Sequence, residues 1–284
     1  MTAGVMALVL FGAVLHASWN VMVKSSQDKT LDTAVIHVFC ALIALPVAVF
    51  LGPPPQEALP FLLASVAIHV GYYFSLARAY HHGSLGLTYP IMRGSAPLLV
   101  ALASWVVLEE SLSFTGWIGV VTLCLGVIGL GLSANIGQQK TAFGFALGNA
   151  TIVALYTLVD AQGVRLSGDA ALAYIALLFS LDGWIFGLAV FSRRGAQALR
   201  YTAQRWPMAL GGAMASVGSY AIALWAMTVA PVAAVAALRE TSVLFGVLLG
   251  SLILRETLSA QRILATVLII LGAIAIRFGS GPTG

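Results

Sequence analysis

The composition of this chain excludes a soluble globular protein. The sequence has 284 residues, of which 60% are hydrophobic and only 8% are charged, whereas an ordinary soluble domain has about 25% charged residues. Its 14 basic and 10 acidic side chains cannot cover a soluble protein of this size, so most of the surface must face an apolar environment. The composition predicts an all-α protein that crosses a lipid bilayer several times.

Proline, glycine and charged residues divide the chain into ten apolar stretches, most of them near the length of about 20 residues that a membrane span needs. The connections are too short for a soluble domain. The first stretch is too long for a signal peptide and lacks a basic start and a cleavage site, so we count it as a span. The predicted spans are Ala3–Met22, Ala34–Leu51, Phe61–Tyr80, Leu87–Val107, Phe114–Leu132, Ala142–Val164, Ala170–Phe191, Trp206–Thr228, Ala233–Leu254 and Ile263–Ile276.

Lysine and arginine lie mainly on one side of this predicted topology. Ten belong to the connections after odd-numbered spans, and two, Arg165 and Arg277, lie on the other side. Because cytoplasmic connections are enriched in these residues, we expect the odd-numbered connections in the cytoplasm and both termini outside. The same distribution explains the net charge of +4 without a nucleic-acid partner. We expect the chain to lie in the cell (inner) membrane as a multi-pass protein, surrounded by the lipid bilayer.

The chain contains an internal repeat. A shift of 146 residues lays 91–131 over 237–277, and the coincidence of polar residues there indicates a duplication, because apolar matches are frequent by chance in such a chain. The matching polar pairs are Arg93 with Arg239, Glu110 with Glu256, and Ser113 with Ser259. Two halves of five helices, 1–136 and 137–284, would then enter the membrane from opposite faces, as in the inverted repeats of secondary transporters. The alternative is accidental similarity.

Short motifs carry a resemblance to a known family. A Gly/Leu-rich helix follows a Glu-x-Leu-Ser turn at 110–113 and at 256–259, and the chain also contains HASWN at 16–20, YPIMRG at 89–94 and ALRETS at 237–242. In these motifs it resembles the EamA-type branch of the drug/metabolite transporter superfamily over nearly its whole length. The resemblance implies two five-helix EamA repeats around a central cavity, and substrates such as amino acids, amines and other small metabolites. Glu109 and Arg255 depart from the family's pattern, which usually has glycine before each repeat glutamate.

Five charged side chains fall well inside the predicted spans, away from their ends, where each costs at least about 2.5–3.5 kcal/mol at the membrane centre. They are Arg93, Asp160, Asp182, Arg239 and Glu240. The functional interpretation is that the two arginines and Glu240 bind substrate, whereas Asp160 and Asp182 carry protons or form an ion network. The structural alternatives are snorkelling of Arg93 to the nearer interface and a purely structural network of the others.

Aromatic and polar side chains complete the predicted substrate site. His16, Trp19 and Asn20 share one face of span one because they are three and four residues apart. His69 is also consistent with an interior histidine that has a structural role. The remaining substrate-binding candidates are His69, Tyr72, Tyr73, Tyr89, Tyr156 and Tyr220. Two further features bear on helix packing and motion: Gly246 and Gly250 have GxxxG spacing, and Pro97 is a candidate hinge one turn after Arg93.

Motifs of the competing functional classes are absent from the sequence. It has no HExxH zinc helix, no GxSxG nucleophile elbow and no glycine-rich phosphate loop that ends in lysine. Its two cysteines, Cys40 and Cys124, have no metal-ligand spacing. We therefore predict that the protein is not an enzyme and holds neither a cofactor nor a metal.

The predicted function is secondary transport of a small organic metabolite by alternating access. An amino-acid-like substrate is favoured, because two arginines suit an anion and acidic side chains suit an ammonium group. Export is the expected direction, and the expected partners are the small-molecule substrate and the bilayer, with the chain as a monomer. The alternatives are an uptake permease for a small organic anion, or a membrane-embedded enzyme or receptor.

Overall fold

The structure, a computed structural model, describes residues 1–82, 85–130, 140–253 and 259–279, without the side chains of 77, 80, 85–87, 247 and 250–253. The regular structure within these ranges is helical. Its α-helices are α1 (Ala3–Lys24), α2 (Lys29–Leu51), α3 (Leu59–His82), α4 (Leu85–Val107), α5 (Phe114–Gly129), α6 (Lys140–Leu166), α7 (Ala171–Arg194), α8 (Ala196–Val229), α9 (Val232–Arg239), α10 (Thr241–Ile253) and α11 (Ala260–Gly279).

Local capping interactions fix where several helices begin and end. The Asp28 carboxylate accepts a hydrogen bond from the Leu31 backbone N–H at 3.0 Å and starts α2, and the Ser113 hydroxyl does the same for Gly116 at 3.1 Å at the start of α5. These are typical N-cap bonds to otherwise unpaired amides. Helix α2 ends at Leu51, and the next residue, Gly52, has a φ of 75°, which suits glycine. The sequence thus encodes the boundaries between successive helices.

Large apolar side chains are exposed on the outside of the molecule, and some acidic side chains are buried inside it. Phe50 is 87% exposed and Phe114 is 81% exposed, whereas Asp160 and Glu240 are buried. Eight helices of the described ranges are long and apolar enough to cross a membrane, and α5 is a shorter apolar helix. The chain is therefore a multi-pass membrane protein. The number of ten crossings stays a prediction.

Predicted span nine is interrupted. Instead of one helix over Ala233–Leu254, the structure has α9 and α10, with Glu240 in a turn between them. The Glu240 N–H donates to the Ala237 carbonyl at 3.0 Å, and the Val243 N–H donates to the Glu240 carbonyl at 3.0 Å. These three-residue steps tighten the helix locally into a 3₁₀ turn, a feature that often marks a hinge.

Helix α8 begins at Ala196 and therefore starts ten residues before the predicted span, which begins at Trp206.

The helix contacts are symmetric between the two halves of the chain: when the corresponding helices of the halves are exchanged, the same pairs are in contact. Helix α1 packs against α8, and α3 packs against α6, which is the same pairing with the halves exchanged. In the same way α4 packs against α6, and α1 packs against α9 and α10. The pairs α2–α7 and α5–α11 each map onto themselves. This arrangement is the one that a duplicated chain produces when its two copies interlock.

Glycines let α5 and α11 approach closely. A Cβ atom on Gly119 would lie 2.6 Å from the backbone nitrogen of Ile276, and one on Gly272 would lie 2.5 Å from that of Leu123. At Gly246, by contrast, a Cβ would meet no atom within 4 Å. The GxxxG spacing in span nine therefore does not mark a close helix contact at Gly246, and the environment of Gly250 lies outside the described side chains.

Candidate substrate site

A buried ion pair joins the two halves at the centre of the molecule. The Nε atom of Arg93 on α4 lies 2.8 Å from Oε2 of Glu240 in the α9–α10 turn, and their side chains are 13% and 6% exposed. Neither atom has hydrogen-bond geometry with a partner among the described residues, and Nη2 of Arg93 is likewise buried without an acceptor there. The pair therefore balances charge but leaves strong donors of the guanidinium group uncommitted.

The second arginine, Arg239, is linked to a buried acid through a tyrosine. The guanidinium carbon of Arg239 stands 4.8 Å from the centre of the Tyr220 ring, a distance at which cation and ring attract each other. The Tyr220 hydroxyl donates to Oδ2 of Asp160 at 2.5 Å, and the Tyr174 hydroxyl donates to Oδ1 at 2.9 Å. Both oxygens of this fully buried carboxylate are thus hydrogen-bonded, and Tyr220 links Asp160 to Arg239.

An aromatic cluster surrounds these charges. The rings of His69 and Tyr156 stack with centroids 4.4 Å apart, and Tyr72 meets Tyr156 edge-on at 6.0 Å. Tyr220 also meets Tyr156, at 6.4 Å. Nδ1 of His69 donates to the Ser65 carbonyl of its own helix at 2.9 Å, because a carbonyl oxygen can only accept. Three helices, α3, α6 and α8, therefore contribute to one aromatic wall.

Helix α1 contributes His16 and Trp19, whose rings lie edge-on at 5.4 Å. His16 is within electrostatic reach of both Arg93 and Arg239. The indole Nε1 of Trp19 is buried and finds no acceptor in the part of the chain that the structure describes. The Asn20 amide, by contrast, donates to the His16 carbonyl at 2.7 Å and is occupied within its own helix.

Tyr89 lies one turn before Arg93 on α4 and within electrostatic reach of both Arg93 and Glu240. The structure thus brings most of the predicted substrate-binding residues to one region between the halves. Pro97, the candidate hinge, lines the same region and lies inside α4.

The space between these side chains is small. The cavity has a volume of about 10 Å³, room for about one water molecule, so the described conformation is closed around the Arg93–Glu240 pair. Its walls come from α4, α6, α9 and the α9–α10 turn. The lining residues are Arg93, Ala96, Pro97, Val100, Val153, Tyr156, Thr157, Ala236, Arg239 and Glu240.

Tyr73 and Asp182 form a separate polar cluster. The Tyr73 hydroxyl donates to Oδ2 of Asp182 at 3.0 Å. His37, which belongs to none of the sequence motifs, lies edge-on to Tyr73 with ring centroids 5.8 Å apart. A histidine among apolar residues of α2 has no sequence neighbour that predicts a polar contact, so its partner on α3 appears only once the helices are packed.

A second charged contact links the halves near the ends of their helices. Nη2 of Arg165 at the end of α6 donates to Oε1 of Glu110 at 2.5 Å, and its Nε donates to the Met227 carbonyl at 2.7 Å. Oε2 of Glu110 accepts the Val232 N–H at 2.8 Å, where α9 begins. The repeat singled out Glu110, but only the fold identifies its partners. We call this contact, made by Glu110, Arg165 and the α8–α9 connection, the Glu110 clasp.

A larger cavity of about 470 Å³ lies beside the Glu110 clasp, between α3, the end of α4 and α6. Phe61, Leu158 and Glu109 are among its lining residues, and Val107 on its wall is 68% exposed. None of the five predicted intramembrane charges lines it.

Within the described residues, no three His, Cys, Asp or Glu side chains gather as metal ligands would.

Comparison with known proteins identifies the family. A model of the EamA-like transporter family matches residues 3–132 and again residues 140–278. The chain belongs to the EamA-like transporter family. The two matches confirm the resemblance seen in the motifs and make the protein a two-repeat membrane protein of a transporter family. One solved structure, described as "Crystal structure of protein", is similar with a TM-score of 0.70 at 15% identity, over 97% of this chain and 96% of that chain. That likeness concerns the fold alone.

Proposed function

We propose that this EamA-family protein is a secondary transporter that exports a small amino-acid-like metabolite by alternating access. The observation that carries the proposal is the buried Arg93–Glu240 ion pair, which bridges α4 of the first half and the α9–α10 turn of the second. Charges at such a depth are retained for a function more often than for stability. A pair that spans the two halves is also placed where relative motion of the halves would make and break it.

A zwitterion suits this pair better than a simple anion. A substrate carboxylate can take the place of Glu240 beside Arg93, whose Nη2 has no acceptor among the described residues. Its ammonium group can take the place of Arg93 beside Glu240. Such an insertion leaves both protein charges paired, whereas a lone anion would bind Arg93 and leave the Glu240 carboxylate buried without a cation. Tyr156 in the cavity wall, with Tyr220 beside Arg239, offers apolar surface for the substrate side chain.

Transport requires the closed cavity to open. Its volume of about 10 Å³ is far below the roughly 300 Å³ or more of typical small-molecule sites. The 3₁₀ turn at Glu240 and Pro97 in α4 are two points at which these helices can bend. Motion there would separate Arg93 from Glu240 and admit substrate.

The proposal includes a topology. Ten crossings form two inverted halves, 1–136 and 137–284, of a monomer in the cell (inner) membrane, with the odd-numbered connections in the cytoplasm. The exchange symmetry of the helix packing supports the two interlocked halves, and the basic residues support the orientation. Transport needs no catalytic residue and no cofactor in this scheme. The uptake of a small organic anion remains the alternative.

Counterflow in proteoliposomes tests the proposal. Vesicles with the purified protein are loaded with unlabelled amino acids and given the radiolabelled mixture outside; we expect transient accumulation of label. Arg93→Ala and Glu240→Gln should abolish it. Arg200→Ala, on an exposed residue outside the apolar part of α8, is the matched control and should retain it. If Arg93→Ala and Arg239→Ala both folded and kept full exchange, the substrate-binding role of the arginines would be wrong.

The same vesicles separate the alternatives. Exchange of a labelled dicarboxylate without exchange of amino acids would favour the anion permease. A chemical change of the label would indicate an enzyme. Amino-acid exchange that both Arg93→Ala and Glu240→Gln abolish would support the zwitterion site.

A further inference from the structure

The three acidic side chains well inside the predicted spans differ in their partners. Arg93 pairs with Glu240, and Arg239 is linked to Asp160 through Tyr220, whose ring it covers and whose hydroxyl binds the carboxylate. Asp182 forms no ion pair with any residue that the structure describes.

Asp182 also has an uncommitted oxygen atom. Its Oδ2 accepts the Tyr73 hydroxyl at 3.0 Å, but its Oδ1 is buried and has no hydrogen-bond partner among the described residues. Asp160, by contrast, has both oxygens satisfied by tyrosines. Asp182 lies at the middle of the 24 residues of α7, roughly 17 Å from either end of the helix.

The groups around Asp182 come from the neighbouring helices. From α2, Cys40 and His37 face this cluster, the latter with its ring 5.8 Å from that of Phe186, one turn after Asp182. From α3 come Tyr73 and Tyr72, which are in ring contact. Ser216 of α8 reaches Cys40. Asp160 of α6 accepts a hydrogen bond from the Tyr174 hydroxyl of α7. Tyr174 lies eight residues, or roughly 12 Å, before Asp182 along that helix.

We propose that Asp182 is the site of the coupling ion of this transporter and that the ion is a proton. The inference rests on the proposed transport function and adds to it the source of energy. A proton fits better than a metal cation, because an alkali or alkaline-earth ion needs several oxygen ligands, whereas Asp182 is hydrogen-bonded to a single oxygen, the Tyr73 hydroxyl, among the described residues. No three His, Cys, Asp or Glu side chains gather in that part of the chain either. The substrate charges stay with Arg93 and Glu240, so coupling and substrate sites are different residues.

The step is a simple protonation. Oδ1 of the Asp182 carboxylate forms a bond with a proton from water on one side of the membrane, and the group becomes a neutral carboxylic acid. The charge of the Asp182 side chain then changes from −1 to zero, also with a bound zwitterion. When the cavity opens to the other side, the O–H bond breaks and the proton leaves to water there. A proton crosses for each such cycle.

Infrared spectroscopy tests the site without a substrate. The difference spectrum of the purified protein in lipid between acidic and alkaline pH should contain the C=O band of a carboxylic acid that disappears in Asp182→Asn. Asp160→Asn is the matched control, and this band should persist in it. Tyr73→Phe retains the acid but removes its hydrogen bond, so the band should change frequency even if Asp182→Asn did not fold. A difference spectrum that is the same in wild type, Asp182→Asn and Tyr73→Phe would overturn the proposal.

Transport measurements separate this proposal from the transport function itself. Wild type should accumulate the labelled amino acids in response to an imposed pH gradient, and Asp182→Asn should lose this accumulation while it retains counterflow. Wild type without counterflow would contradict the proposed function, whatever the infrared result. Accumulation that Asp182→Asn retains, or that follows a sodium gradient and ignores pH, would overturn the coupling role of Asp182.

Discussion

Glu109 adopts a backbone conformation that glycine takes far more easily than any other residue. Its φ is 55°, in the left-handed region, and the N–H of the next residue, Glu110, donates to the Ser104 carbonyl at 3.2 Å to close the turn after α4. Glycine is the usual residue in such a turn. The resemblance to the family predicted glycine at this position from the motif, and the structure supplies the physical reason.

Glu109→Gly should therefore stabilise the protein. The left-handed conformation costs a non-glycine residue about 1–2 kcal/mol, and glycine loses about 0.5–1 kcal/mol more chain entropy on folding, so a net gain of about 0.5–1 kcal/mol is expected. Thermal unfolding of the purified protein measures it. Glu109→Gln, which removes the charge but keeps the strained conformation, is the control and should leave the midpoint unchanged. An equal rise of the unfolding midpoint in both variants would show that the lost charge, and not the relieved backbone strain, stabilises the protein.

Glu110, the next residue, should respond in the opposite way. Its two carboxylate oxygens bind Arg165 and the first N–H of α9, so Glu110→Gln weakens two charge-assisted bonds and leaves a half-buried guanidinium group without its anion. Bonds to charged groups contribute about 1.5–3 kcal/mol each, and we expect a destabilisation of about 2–3 kcal/mol. The same thermal unfolding measures it, with Glu109→Gln as the neighbouring control. An unchanged midpoint would show that the Glu110 clasp does not hold the halves together.

At the scale of helices, hydropathy predicted where apolar segments lie but not every break within them. The start of α1 at Ala3 and the ends of α2 and α4 match the predicted spans, because changes in polarity and N-cap residues mark these boundaries. The turn between α9 and α10 contains neither proline nor glycine. At Glu240 the backbone hydrogen bonds join residues three apart instead of four apart. The ionic partner of Glu240, Arg93, is more than a hundred positions away in the sequence. Such a break depends on tertiary contact and cannot be predicted from local sequence.

The predicted substrate site shows the same difference between what sequence patterns can predict and what only helix packing determines. The repeat register paired Arg93 with Arg239 and so placed both in one cavity, and helical periodicity grouped His16 with Trp19. Neither pattern could show that Arg93 pairs with Glu240 or that Asp160 is held by Tyr174, because those pairs join different helices. Asn20 shared the predicted face of α1, but its side chain bonds its own backbone. Sequence patterns supply candidates, and the packing of helices supplies the partners.

Close packing of α5 on α11 leads to a prediction at the helix scale. Gly119→Ala would place a methyl group 2.6 Å from the Ile276 nitrogen, which forces the helices apart, and we expect a loss of about 1–3 kcal/mol as in other overpacked contacts. Gly246→Ala in α10 is the matched control: it meets no atom within 4 Å and should raise stability by up to about 1 kcal/mol through helix propensity. Equal effects on thermal unfolding would contradict this account of the interface.

For the molecule as a whole, the decisive question is whether its halves are inverted. Exchange symmetry in the packing pairs α2 with α7. Gln56 lies in the connection after α2, and Gln197 lies in the first turn of α8, just after α7. Both are exposed. If each half contains five crossings, the second half is turned over, and the two glutamines lie on opposite sides of the membrane. Parallel halves would place them on the same side.

Single-cysteine labelling tests this directly. Gln56→Cys and Gln197→Cys are made in a background in which the buried Cys40 and Cys124 are replaced by alanine, and intact cells are treated with a maleimide that cannot cross the membrane. We expect Gln56→Cys to react and Gln197→Cys to react only after the cells are opened, because Arg193, Arg194 and Arg200 beside Gln197 favour the cytoplasm. The reverse pattern would keep the inversion but reverse the orientation. Reaction of both cysteines from one side would exclude inverted halves, and with them the symmetry on which alternating access between these halves depends.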